Sequence, residues 1–250
     1  MEWKHKCSLA WLKARQDFLT ASEAAKLVPV TETGRPRKVS QADYDKMKLS
    51  KTAVLTEADC WSYGPAARGH WMEQQAVRFW NEVLCDTGAL PKMHHWDDCL
   101  IYDGSCAWSP DAVDMVPCNA VAKVSADVYQ PTKLLEIKSY SPERHIERYY
   151  QSASQVPERW QLAFAMMVSP TITTAYLMWF APGVEALPYH IKKWSREDLF
   201  DEIKILREVR STWEDTEALP IEESLIEYER EAERACRSWL SMNPVMDGIA

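Results

Sequence analysis

Apolar side chains recur along this chain at two periods, and the two periods divide it into elements. Residues 173–180 and 186–194 alternate apolar with polar on either side of Pro182-Gly183, as two strands of an antiparallel hairpin do. The stretch 134–138, Leu-Leu-Glu-Ile-Lys, alternates in the same way. Residues 99–102 and 105–108 form a further strand pair across Asp103-Gly104, a dipeptide that favours a tight hairpin turn. Helical spacing governs other segments. Pro65 opens a helix in which Met72, Ala76, Phe79, Trp80 and Val83 occupy core positions. Pro157-Glu158-Arg159-Trp160 opens a very apolar helix from Gln161 through Val168, and Ser195 caps another that runs to about Asp215. A last apolar stripe, Ile221, Leu225, Tyr228, Ala232 and Trp239, marks an acidic helix from Pro220, suited either to core packing or to a subunit contact. Residues 117–132 follow neither period and read as an irregular excursion. Interleaved strands and helices of this kind predict an α/β (α+β) fold with a central mixed sheet flanked by helices.

Capping residues sharpen several boundaries. A short helix ends near residues 11–15, and Thr20-x-x-Glu23 is a capping box that starts the next one. Ser22 then lies in the first turn, and Arg15 is near enough in sequence to complete an anion pocket with its hydroxyl, although a plainly capped helix has the same pattern. Arg35, Arg37, Lys38, Lys46, Lys48 and Lys51 describe a basic loop and short helix, either a flap over nucleic acid or a solvated charge run. Ser141-Pro142-Glu143 starts a helix that carries Arg144, His145, Arg148, Tyr149 and Tyr150, a mixture suited to phosphates and bases. Gly69 sits inside a helix at a cost of about 1 kcal/mol, which predicts the close approach of another group there. Glu73, one turn on, shares its face.

At 250 residues the chain is large enough for a real core and reads as a single domain over 1–250, with a central part at about 8–215 and an acidic helical extension at about 216–250. No apolar run is long enough to span a membrane, and the N-terminal residues lack a secretory h-region. Seven cysteines without a CxxC pair argue against zinc and iron–sulfur sites and for reduced thiols in the cytoplasm. The net charge of -8 is polarised: residues 1–50 hold ten Lys/Arg against six Asp/Glu, whereas residues 201–250 hold six against thirteen. A basic groove can therefore hold phosphates while acidic surfaces keep the chain off random DNA. Twelve tryptophans leave aromatic surface for stacking beyond what a core uses.

The chemistry centres on the strand 134–138. Leu135 and Ile137 point into the core, whereas Glu136 and Lys138 point the other way, about 7 Å apart. Charged groups on such an apolar strand are costly to bury without partners. Upstream, Ser109-Pro110-Asp111 supplies a second carboxylate; Asp114, three residues on, faces the opposite way on a regular strand, so only one of the two can share the Glu136 face, and Asp111 is taken as that one. Asp followed at a distance by Glu-x-Lys is the pattern of PD-(D/E)xK metal-dependent nucleases, a restriction-endonuclease-like core. A solvated Glu–Lys pair on an edge strand has the same spacing. Adjacent His94 and His95 lack metal-ligand spacing and read as structural, and Gln161 is the one amide on its apolar helix.

Taken in order, these pieces resemble the phage lambda exonuclease family of viral-type recombination nucleases over about residues 8–215. The marks are Arg15 with Leu-Thr-Ala-Ser-Glu at 19–23, Arg68-Gly69-x-x-x-Glu73, Ser109-Pro110-Asp111, Leu135-Glu136-Ile137-Lys138, and Gln161 with Met166-Met167-Val168. The chain departs from the family in having Ala112 where glycine commonly follows the aspartate, and in a longer span from Asp111 to Glu136. The resemblance implies 5′-to-3′ digestion of linear double-stranded DNA, a 3′ single strand left for an annealing partner protein, and a homotrimeric ring. It also implies Mg²⁺, replaceable by Mn²⁺, on Asp111, Glu136 and the Ile137 carbonyl, with Glu73 at a second metal or its waters. Lys138 would orient or deprotonate the attacking water, Gln161 would position water or a ligand, and Arg15 with Ser22 would hold a terminal 5′-phosphate. Arg35, Arg37, Arg68, Arg144, Arg148 and Tyr149 are the further DNA-contact candidates. Two other classes remain open: a structure-specific or restriction-type endonuclease on the same core, and a DNA-binding protein with an inactive core.

Overall fold

The computed structural model describes residues 9–28, 36, 38–54, 65–96, 100–115 and 123–216. Its helices are α1 (Leu9–Gln16), α2 (Ala21–Leu27), α3 (Gln41–Ser50), α4 (Pro65–Phe79), α5 (Pro142–Tyr150), α6 (Arg159–Val168) and α7 (Phe200–Asp215). Its strands are β1 (Leu19–Thr20), β2 (His94–His95), β3 (Leu100–Asp103), β4 (Cys106–Trp108), β5 (Ala112–Val113), β6 (Lys123–Ser125), β7 (Lys133–Lys138), β8 (Thr174–Phe180) and β9 (Tyr189–Ser195).

The strands form two mixed sheets, in the orders β1-β4-β3-β6 and β2-β5-β7-β8-β9. β7 lies in the middle of the second, antiparallel to β5 and parallel to β8, and the parallel crossover from β7 to β8 carries α5 and α6. The period-2 pattern assigns each face of this sheet its own core. Leu134, Ala175, Leu177 and Trp179 pack with α6, whose residues 162–168 are all buried. Leu135, Ile137, Tyr176, Met178 and Phe180 pack on the opposite face with Met72, Ala76 and Val77 of α4 and with Trp80 just beyond it. α6 also packs against α2, α7 and β4, so one apolar helix joins the two sheets.

Local signals are realised where their hydrogen bonds are local. The Thr20 N–H donates to Glu23 Oε2 at 2.9 Å, closing the capping box of α2. Ser141 is the N-cap of α5 with Pro142 at its first position. Gly104 has φ +54°, the left-handed conformation that lets β3 and β4 pair across a two-residue turn.

Several expectations are corrected. Residues 123–125 form β6, parallel to β3, within the stretch read as irregular; three residues are too few to show a period, and the free edge of β3 supplies their partners. α4 runs on into a π turn at Trp80–Leu84, which widens the helix and leaves Val83 51% exposed rather than in the core. A Cβ added at Gly69 would meet nothing within 4 Å among the described residues, so none of these approaches this glycine closely. Ser195 does not cap α7 directly: its N–H and hydroxyl bond to Asp198, closing a turn before the helix begins at Phe200. The acidic helix expected from Pro220 lies outside the described residues. Among those residues no helix is long and apolar enough to cross a membrane, and Cys85 and Cys106 are free thiols.

Candidate active site

The site forms where β5 begins and β7 ends. Ala112 and Val113 pair with Leu135 and Leu134, which carries the preceding residue, Asp111, alongside the last turn of the β7 ladder. There Asp111 Oδ2 accepts the Ile137 N–H at 2.8 Å, and the residue is 7% exposed. Asp114 is occupied at the other end of β7, where it accepts the N–H groups of Thr132 and Lys133 at 2.9 and 3.0 Å. Asp111, and not Asp114, lines the same cavity as Glu136. Lys138 Nζ lies 2.5 Å from Glu136 Oε1.

These groups open on a cavity of about 340 Å³. β7 contributes Glu136, Ile137 and Lys138; α4 contributes Gly69, His70 and Glu73; α6 contributes Gln161. Arg15 and Ser22 line the same cavity from the corner between α1 and α2. Arg15 Nη2 donates to Thr20 Oγ1 at 3.1 Å and to Ser22 Oγ at 3.0 Å, and its guanidinium stacks 4.5 Å from the Trp11 ring centre. Behind them Lys51 Nζ pairs with Glu23 Oε2 at 2.6 Å, so this lysine braces the corner instead of forming a flap.

Burial alone would depress the Lys138 pKa, yet the carboxylates of Glu136 and Asp111 outweigh it and hold the group above the ordinary lysine range. Lys138 is therefore an ammonium in this arrangement, suited to orienting water and offsetting phosphate charge. The lowered pKa expected of a proton-accepting lysine is not present, because two anions face one cation.

The donor set fits a hard divalent cation. Asp111, Glu136 and the Ile137 carbonyl offer oxygen ligands, the kind Mg²⁺ takes in ones and twos with waters and phosphates completing its shell. Among the described residues no three His, Cys, Asp or Glu side chains form a chelating group, so Glu73 lines the cavity without closing a third carboxylate onto the pair. A soft or wholly protein-coordinated metal is not what these residues suit.

The other expected contacts divide. Arg35 and Arg37 lie outside the described residues, and of Arg68 only the backbone, in α4, is described. Arg144 is exposed and stacks 4.5 Å from the ring of Tyr140, which lines the cavity. Arg148 is committed to the protein: its Nη2 lies 3.6 Å from buried Glu158 Oε1, and its Nη1 donates to Gln151 Oε1 at 2.5 Å. Tyr149 packs edge-on against His190 at 5.6 Å. Of the basic and aromatic mixture expected on α5, Arg144, Tyr149 and Tyr150 are exposed and His145 is buried, and Glu143, Ile146 and Glu147 are exposed beside them. Sequence reasoning gave no role in the site to several cavity residues, among them His70, Ser109, Ser139 and Tyr140. The hydroxyls of Ser109 and Ser139 are buried there without a protein partner among the described residues. Their neighbours Asp111 and Lys138 were the available signal.

The architecture that carries this cavity is one seen in a nuclease. Crystal structures of LHK-Exo, an alkaline exonuclease from Laribacter hongkongensis, share it at 18% sequence identity and a TM-score of 0.53, over 90% of this chain and 98% of that one. LHK-Exo in complex with dAMP matches at the same identity and TM-score, over 93% and 98%. At that identity the likeness is one of fold. No family model and no curated protein matches the chain.

Proposed function

We propose that the chain is a Mg²⁺-dependent exonuclease that digests linear double-stranded DNA from the 5′ end and leaves a 3′ single strand for recombination by annealing. The observation that carries this reading is the convergence of Asp111, Glu136 and Lys138 on one cavity with Arg15 and Ser22. The fold likeness to an alkaline exonuclease, one of whose structures holds a mononucleotide, supports it. The proposal takes the core to be of the PD-(D/E)xK type, working as one nuclease domain in a homotrimer with a single-strand annealing protein as partner.

Asp111, Glu136 and the Ile137 carbonyl would hold Mg²⁺, or Mn²⁺ in its place, with Glu73 at a second metal or its waters. When bound, the metal supplies electrophilic stabilisation of the phosphate and a more acidic water. Lys138 stands beside these carboxylates, orients the attacking water and offsets phosphate charge. Gln161 faces the cavity with an amide able to position water or a ligand oxygen. Arg15 and Ser22, already aligned on one another, bind the terminal 5′-phosphate. Charge-assisted contacts of that kind contribute roughly 1.5–3 kcal/mol each, and a terminal phosphate carries more charge than an internal diester.

The test compares initial rates on 5′-phosphorylated and 5′-hydroxyl linear duplex, with sealed circular duplex as control. Faster digestion of phosphorylated ends, an Arg15→Ala variant that loses the preference, and intact circles are expected. Equal rates at both ends, or cutting of the circle, would favour an endonuclease on the same core. No Mg²⁺-dependent cleavage of any substrate would favour an inactive binding protein.

A further inference from the structure

We infer that His70 is a positioning residue for Glu73, an inference that rests on the reading of this cavity as a nuclease metal site. The two residues stand three apart on α4, which places them on one face of the helix. His70 Nδ1 lies 3.1 Å from Glu73 Oε2, and both side chains are largely buried, 16% and 14% exposed. Both line the cavity that holds Asp111, Glu136 and Lys138.

The chemistry of the pair fixes its polarity. An ionised carboxylate only accepts hydrogen bonds, so Nδ1 carries the proton in the neutral imidazole and in the imidazolium alike. The bond restrains one carboxylate oxygen of Glu73 against rotation about its last side-chain torsion, which is otherwise broad and soft. A carboxylate that must serve a metal or its water shell gains from that restraint, since partners that orient ligands commonly carry about 10–100-fold in metal affinity or activity. Glu73 needs it more than Asp111 does, because Asp111 is already held by the Ile137 N–H.

The test reads metal binding and tautomer as well as turnover, with three substitutions of His70 and one of Glu73 in the full chain. Mn²⁺ binding without DNA, followed by calorimetry, should weaken about 10–100-fold in His70→Ala. His70→Asn, whose amide nitrogen falls near the Nδ1 position, should bind close to wild type, whereas His70→Gln, whose nitrogen falls near Nε2, should resemble Ala. On linear duplex with saturating Mg²⁺, kcat should follow the same ranking while KM for DNA stays constant. Unaltered thermal unfolding of all three would set aside a folding defect; if Ala melts early, the Asn–Gln comparison carries the result. Wild-type affinity and turnover in Ala, or equal values in Asn and Gln, would overturn the inference. If the wild type neither binds Mn²⁺ nor cuts DNA, the nuclease reading itself has failed. The pairing is then read by ¹⁵N NMR, where Glu73→Gln should displace the protonated Nδ1 resonance of His70, and an unmoved resonance overturns the pairing too.

Discussion

Asp111→Ala and Asp111→Asn should part on stability and agree on activity. In the native chain Asp111 Oδ2 accepts the Ile137 N–H at 2.8 Å, and Ile137 is 3% exposed. Alanine leaves that N–H buried without an acceptor, at a cost of about 1–3 kcal/mol. Asparagine keeps a carbonyl oxygen in the same place and restores the bond. Both variants also remove a negative charge, which weakens the attraction to Lys138 and relieves the repulsion with Glu136; these effects are common to the two and drop out of the comparison. For a chain of 250 residues a 2 kcal/mol difference corresponds to a melting temperature lower by about 4–8 °C in Ala than in Asn. Activity should not distinguish them. A ligand carboxylate supports several kcal/mol of charge stabilisation at the metal, so both variants should fall about 1,000-fold or more in cleavage rate. The assays are thermal or urea unfolding in EDTA and Mg²⁺-dependent digestion of 5′-phosphorylated linear duplex. Equal melting temperatures would refute the backbone role of Asp111, and an Asn variant that cuts at close to the native rate would refute its role as a ligand.

Three further outcomes follow from the same structure. Lys138→Ala should lose orders of magnitude in turnover and still bind Mg²⁺; Lys138→Arg should not rescue, because a planar fork cannot replace a compact ammonium 2.5 Å from Glu136, and an active Arg variant would reduce the residue to a counter-charge. Burial acts to raise the Glu23 pKa, but Lys51 and the Thr20 hydroxyl and N–H converge on the carboxylate and hold it below the ordinary range, whereas Lys51 loses more hydration than one carboxylate returns, and its pKa is lowered too. Glu23→Ala, which strands Lys51 beside Arg15, should cost about 2–4 kcal/mol in urea unfolding at neutral pH, less as the pH falls through the lowered Glu23 pKa; a pH-independent loss would contradict the pairing. Burial first, then His145 and Lys192, push His190 down to about 4. Its unfolded form takes up a proton below about 6.5 and its folded form does not, so stability should fall by about 1–2 kcal/mol from pH 6.5 to 4 after allowance for solvent screening. His190→Leu should flatten that slope in thermal melts, and an unchanged slope would remove His190 as its cause.

What could be read from the chain was whatever depends on near neighbours. The capping box at Thr20 and Glu23 spans three residues, the turn at Gly104 needs only its own backbone freedom, and the alternation of β7 and β8 records which face each side chain buries. The shared face of Glu136 and Lys138 was legible for the same reason, whereas which of Asp111 and Asp114 joins them was decided by the bond from the distant Ile137 N–H. Tertiary structure decided whatever depends on a distant partner. β6 exists because β3 offers an edge, Lys51 braces a corner because Glu23 lies 28 positions away, and Arg148 leaves the candidate DNA surface because Glu158 is buried beneath it. Lys138 shows the division within one residue. Its place on the strand is set by the two-residue period, but its charge state is set by two carboxylates, one of which, Asp111, comes from just before β5, far upstream in the chain.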